Sequence, residues 1–201
     1  MTADIDALRP GFENPAPDAN AVFRTVLTGF SYPGRILALP IAIAAPPRLN
    51  ATAAAVLLAL ADLDAPVWLT ADVDTAPLRS WLQFHCGCPL TALREEAVFA
   101  VANPDAFGAV DGLAEFAPGR AESPETSTTV IVQVADLRAD GAVRLSGPGI
   151  AAPRSLAAPP LSPAFWAVLR DNHARFPQGI DVILAAPDRM VCLPRTTLTE
   201  G

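Results

Sequence analysis

The sequence predicts an α/β fold: one compact domain with a mixed sheet flanked by helices. Two runs and what stands between them carry that expectation. Thr128-Thr129-Val130-Ile131-Val132-Gln133-Val134 is rich in β-branched residues, and Gly179-Ile180-Asp181-Val182-Ile183-Leu184-Ala185 is apolar except for one carboxylate. Between them lie a Gly/Pro corner and a helix begun by proline, and Pro187-Asp188 then turns the chain into a further strand. A strand, a corner, a helix and two more strands assemble an α/β sheet with the helix over one face.

With 201 residues, 51% hydrophobic and 17% charged, the chain can bury one substantial core. The expected organisation is an extended N-terminal arm over 1–17 and a single domain over 18–201. The 21 prolines are roughly double a usual share of about 5%. They are scattered among apolar runs, so they read as punctuation between elements and imply long irregular connections.

Asp18 is placed to cap a helix over 19–31, with Val22, Phe23, Val26, Leu27 and Phe30 on one apolar stripe. Tyr32-Pro33-Gly34-Arg35 ends it, because proline cannot continue a helix and glycine accepts a positive φ. Arg24 in the helix and Arg35 on the turn could grip an anion; the plainer reading is a helix charge and a turn charge facing solvent. Asn50 caps a second helix over 51–63, so rich in alanine and leucine that it should be buried on nearly all sides, and a short strand follows over 66–70.

Thr75, with Pro77 in the first turn, starts a helix through Trp81, Leu82 and Phe84 that halts at His85-Cys86-Gly87-Cys88. That tetrad is the best metal candidate, and zinc would need His173 or Cys192 folded against it. A structural zinc site usually shows two spaced ligand pairs, so reduced structural cysteines and no metal are expected. A strand is read at 97–101, a short helix from Asn103-Pro104 toward Leu113, and a loop over 119–126. Asp140-Gly141 reads as a hairpin-type turn. Gly147-Pro148-Gly149-Ile150 permits close backbone approach to a strand, a ligand or a subunit, but lacks the third glycine of a dinucleotide fingerprint. Ser162-Pro163 begins the clearest helix, with Phe165, Trp166 and Leu169 facing the core.

Asp181 is the most unusual acid. A charge inside an apolar strand must be paired or face a cleft, and Arg195, after Leu193-Pro194, is its natural partner, either as a structural ion pair or as part of a ligand site.

Composition excludes several functions. A net charge of −7 with singly spread arginines argues against a nucleic-acid surface and against membrane-surface binding. The apolar runs at 36–47 and 51–63 fall short of the roughly 18 residues that span a bilayer. The acidic start Met1-Thr2-Ala3-Asp4-Ile5-Asp6 is unlike a secretory signal, and a cytoplasmic protein is expected. All 14 basic side chains counted as Lys or Arg are arginine. Without lysine there is no Schiff base for ordinary PLP catalysis, no lysine aldolase chemistry and no P-loop lysine.

In series, these motifs resemble one family, the PhnH subunit of the bacterial carbon-phosphorus lyase system. The matching pieces are Phe23-Arg24-Thr25-Val26 through Pro33-Gly34-Arg35, Leu60-Ala61-Asp62-Leu63-Asp64-Ala65-Pro66-Val67-Trp68-Leu69, Phe84-His85, Leu145-Ser146-Gly147-Pro148-Gly149-Ile150, Phe176-Pro177-Gln178-Gly179-Ile180-Asp181 and Leu193-Pro194-Arg195-Thr196-Thr197. They keep the family's order over nearly the whole chain, whereas Cys86-Gly87-Cys88 is peculiar to this sequence.

The resemblance implies a fold similar to the large domain of PLP-dependent transferases without a PLP site. It implies a homodimer that joins PhnG, PhnI and PhnJ-type subunits in a ribose 1-phosphonate 5-triphosphate synthase or carbon-phosphorus lyase complex. There, alkylphosphonate is attached to the ribose of a nucleoside triphosphate with loss of the base, and the nucleosidase and radical chemistry belong to the partners. The chain would then be an accessory subunit with no cofactor and no catalytic residue carried over. The competing readings are a nucleotide or phosphonate binder using Arg24, Arg35, Asp181 and Arg195, and a free-standing enzyme whose site carries no recognisable motif.

Incubation of the purified protein with PLP is expected to give no aldimine absorbance. A stoichiometric, borohydride-reducible adduct would contradict this and implicate another amine.

Overall fold

The computed structural model describes residues 10–107 and 113–200. Along the chain the elements are α1 (Pro15–Ser31), β1 (Leu37–Ala38), α2 (Ala51–Leu60), β2 (Val67–Leu69), α3 (Ala76–His85), β3 (Phe99–Ala102), β4 (Thr129–Gln133), β5 (Arg138–Ser146), β6 (Arg154–Ala157), α4 (Pro163–Ala174), β7 (Asp181–Ala185), β8 (Arg189–Leu193) and β9 (Leu198–Glu200). The main sheet has six strands in the order β1-β8-β7-β4-β3-β2. Strands β2, β3, β4 and β7 run parallel, while β8 and β1 continue the sheet antiparallel. The expected mixed sheet is therefore present, with four helices among the described residues.

Alternation along these strands builds two cores. Phe99, Val101, Ile131, Ile183, Ala185, Met190 and Cys192 face one side with α1, α2 and α3. Ala100, Ala102, Val130, Val132, Val182, Leu184, Val191 and Leu193 face the other, under Phe165, Trp166 and Leu169 of α4. Strands covered on both faces read as continuous apolar runs, which is why the stretches at 128–134 and 179–185 stand out. Fully burying an Ile such as Ile131 or Ile183 contributes about 1.5–3 kcal/mol.

A second, three-stranded antiparallel sheet in the order β6-β5-β9 contributes Leu145 and Leu156 to the α4-side core. The hydroxyl of Thr199 in β9 donates to Trp166 O at 3.1 Å, tying that sheet to α4.

Several elements differ from expectation. Helix α1 begins at Pro15, inside the expected arm, because prolines in the first turn lack only N–H groups that would have no helical partner. Asp18 is not the cap; its carboxylate reaches back to accept from Asn14 N at 2.8 Å. Residues 1–9 of the expected arm lie outside the described residues, as do residues 108–112 of the expected short helix, which appears as a 3-10 turn at Pro104–Phe107. The apolar stripe of α1 is wider than its contact: Val22 and Val26 are buried, while Phe23 and Leu27 stay 47% and 55% exposed.

Helix α2 stops at Leu60, three residues before its expected end, where the Asp62 carboxylate accepts from Asp64 N at 3.0 Å and captures the chain in a turn. Its cap is as expected, with the Asn50 side chain accepting from Ala53 N at 2.8 Å. The Ser162 side chain, by contrast, makes no capping bond at α4.

Asp140-Gly141 makes no hairpin. Both residues lie inside β5, where the register against β6 shifts between Arg138 and Val143. The glycine admits the neighbouring strand, since a Cβ at 141 would fall 1.9 Å from Leu156 O. No helix among the described residues is long and apolar enough to cross a membrane.

Gly141→Ala should therefore destabilise the fold by about 1–3 kcal/mol or more, the scale of overpacking against an unyielding backbone. Urea unfolding with an unchanged midpoint would contradict that close approach.

Candidate functional site

Asp181 opens β7 at the end where the parallel strands begin, paired in register with Thr129. Its carboxylate is gripped by Arg195, with Nη2 to Oδ2 at 2.6 Å and Nε to Oδ1 at 3.2 Å. Arg195 also donates its backbone N–H to Oδ1 at 2.8 Å. The guanidinium is otherwise occupied: Nη1 donates to Pro124 O at 2.8 Å and Nη2 to Ser127 Oγ. The Arg195 side chain is only 9% exposed and that of Asp181 23%. A buried charge of this kind is tolerable only when paired and fully hydrogen-bonded, which this geometry achieves. His173, near the end of α4, places Nδ1 3.3 Å from Arg195 O.

Glycines bring the other motifs to the same corner. A Cβ on Gly147 (φ 126°) would meet Thr196 O at 2.7 Å, and one on Gly149 (φ 81°) would meet Ser31 O at 2.6 Å. The Gly147-Pro148-Gly149 corner thus approaches this chain's own α1 terminus and the segment after β8. Pieces widely separated in sequence, at 31–35, 145–150 and 193–197, converge around it.

The four candidate ligand residues are not all brought together. Asp181 and Arg195 satisfy one another. Arg24 lines a cleft of about 210 Å³ with Thr25, Thr28, Leu37 and Ala38. Arg35 lines a different depression, of about 410 Å³, with Gly34, Ile36, Ala139, Arg154 and Ser155. Arg154 has no place in the sequence argument. It stands between Pro153 and Ser155 in a segment without periodic signal; the clue available was its place two residues before Leu156, on the same strand face.

Nor do the candidate zinc ligands converge among the described residues. Cys192 lies in β8 with its thiol directed to Val26 O at 3.9 Å, and His173 faces Arg195 O. The Cys86 thiol donates to Leu57 O at 3.7 Å, and its hydrogen bond with Cys88 followed by burial pushes its pKa far up, so it keeps its proton. Burial likewise pushes the Cys192 thiol up. Groups of three or more His, Cys, Asp or Glu placed to hold a metal are absent among the described residues.

A second polar locus, missed in the sequence, closes the opposite ends of the parallel strands. Gln133, the last residue of β4, accepts from Asn50 N at 2.6 Å and donates to Arg48 O and Asn103 Oδ1, each at 3.0 Å. Asn50 Nδ2 donates to Ala185 O at 2.7 Å, and Asn103 donates to Asp72. Arg48 is held at φ 72°, a left-handed conformation uncommon outside glycine. The signal was the polar residue following each apolar run, at the strand ends where α/β sheets commonly place their ligands. Here the amides bond one another.

Arg195→Met should cost about 3–5 kcal/mol in urea unfolding, because it strands a partly buried carboxylate. Adding Asp181→Asn should recover part of the loss. A single-mutant cost under about 1 kcal/mol, the level of exposed pairs, would contradict the architectural role.

The family described as bacterial phosphonate metabolism protein (PhnH) matches residues 10–200. The alpha-D-ribose 1-methylphosphonate 5-triphosphate synthase subunit PhnH of Rhizobium meliloti (strain 1021) is 37% identical over 200 residues, covering 100% of this chain and 99% of that protein. HtxG of Stutzerimonas stutzeri, named as a C-P lyase subunit protein, is 31% identical over 184 residues, covering 90% of this chain and 86% of that protein. The motifs that meet at the Asp181–Arg195 corner thus lie in a chain matched almost end to end, and the chain belongs to the PhnH family of bacterial phosphonate metabolism proteins.

Proposed function

We propose that this chain is an accessory subunit of a carbon-phosphorus lyase assembly, required where alkylphosphonate is attached to the ribose of a nucleoside triphosphate with loss of the base. The observation that carries this is the end-to-end match, at 37% identity, to a protein named as a synthase subunit. On this reading the chain acts in the cytoplasm as a homodimer that joins PhnG, PhnI and PhnJ-type partners, and those partners perform the chemistry.

The surface is in keeping with assembly. Phe23, Leu27 and Tyr32 are 47%, 55% and 51% exposed along α1 and its end, an apolar strip suited to a protein contact. We also propose Arg24 and Arg35 as the ligand-facing members of the set Arg24, Arg35, Asp181 and Arg195: both are exposed beside depressions, whereas Asp181 and Arg195 occupy each other. The fold is proposed to be akin to the large domain of PLP-dependent transferases, without their lysine. The sheet covered on both faces supports that reading.

Deletion of the gene should abolish growth on methylphosphonate as sole phosphorus source and spare growth on phosphate. Normal growth of the deletion strain on methylphosphonate, with no second copy present, would overturn the assignment.

A further inference from the structure

Arg154 begins β6 opposite Leu145 in the register of the small sheet, and Leu156 two residues on is fully buried. Its side chain therefore projects to the inward, apolar face of that sheet, where a charge is expensive unless answered. It is not answered. Its Nε is buried with no hydrogen-bond partner, and no ion pair among the described residues includes Arg154 or Arg35.

The approach of the two arginines is built by the backbone. Gly34, at φ 74°, is buried where a Cβ would lie 2.6 Å from Leu145 Cδ1 and 3.4 Å from Arg154 Cδ. Glycine thus lets the turn carrying Arg35 settle onto β5 and β6. None of the described residues lining the resulting depression of about 410 Å³ is acidic. The nearest carboxylate in sequence, Asp140 beside the lining residue Ala139, is held by Arg138 at 3.4 Å.

We infer that the depression between Arg35 and Arg154 is a binding site for a phosphorus oxyanion, a phosphoryl or phosphonyl group. A guanidinium presents a planar fork of donors, and a turn of the Arg154 side chain toward the depression would let an oxyanion accept side-on from Nε together with a terminal nitrogen. A tetrahedral group offers three acceptor oxygens, enough for two guanidinium forks to share, whereas a carboxylate offers two. This rests on Arg35 being ligand-facing, and not on the role of the chain in an assembly.

Titration calorimetry on the isolated full chain at low ionic strength tests it, with inorganic pyrophosphate, tripolyphosphate and methylphosphonate as probes and acetate as the carboxylate control. At least one phosphorus probe should bind. Arg35→Ala and Arg154→Met should each weaken it about tenfold or more, the scale of a lost charged hydrogen bond. Arg79→Ala, on α3, whose side chain pairs with Asp74 just before that helix, should bind as the parent does. Should Arg154→Met fail to fold, Arg35→Ala on its exposed turn decides alone. Absence of binding at millimolar probe, unchanged binding in the arginine variants, or equal competition by acetate would each overturn the inference. Any of these alongside a deletion strain that still fails on methylphosphonate leaves the subunit assignment standing.

Discussion

The central sheet has to be covered twice. Its parallel strands carry Ile131 and Ile183 on one face and Val130, Val132, Val182 and Leu184 on the other, all without solvent exposure. A one-sided layer would leave half of these side chains in water, so helices α1, α2 and α3 close one face while α4 and the small sheet close the other. The placement of Gly29 in α1, where a Cβ would fall 2.5 Å from Cys192 Sγ, shows how closely the first of those layers approaches.

The Asp181–Arg195 pair is the polar exception that this double burial produces. It sits where the apolar strand begins, and it gathers the carbonyl of Pro124 and the hydroxyl of Ser127 from the connection before β4. Buried pairs gain little net stability over apolar side chains of the same volume, yet removing either partner is costly because the other is left alone. Their effect is to fix geometry. Here the segment after β8, the start of β7 and the loop before β4 are held in one arrangement, beside the glycine corner that seats the end of α1.

Sequence patterns revealed what depended on local chemistry. The runs at 128–134 and 179–185 read as strands because burial on both faces leaves little polar interruption, and the carboxylate of Asp181 was conspicuous for that reason. The Asn50 cap was legible because its acceptor serves an N–H three residues away. What was misread depended on distant neighbours. Asp140-Gly141 has the composition of a turn, and only the presence of β6 alongside shows that the glycine makes room for a strand. Pro15-Ala16-Pro17 reads as an extended arm until the helix behind it places the prolines in a first turn, where the N–H groups they lack would have had no helical partner. Strand β6 is short and begins just after Pro153, so the one clue to the face of Arg154 was its spacing from Leu156. The Asn50, Gln133 and Asn103 network likewise joins residues that only the sheet makes adjacent.

The antiparallel flank has a consequence for how the chain comes together in time. Leu37 pairs with Met190, and the thiol of Cys192 reaches Val26 O across 166 positions of sequence. A ribosome delivers α1 and β1 well before β8 exists, at roughly 5–20 residues per second. Val22 and Val26 therefore wait without the strand that will cover them until Cys192, 166 positions after Val26, has emerged. Contacts so distant in sequence make closure of this flank a late and slow event, and the nascent chain carries a sticky amphipathic helix for most of its synthesis.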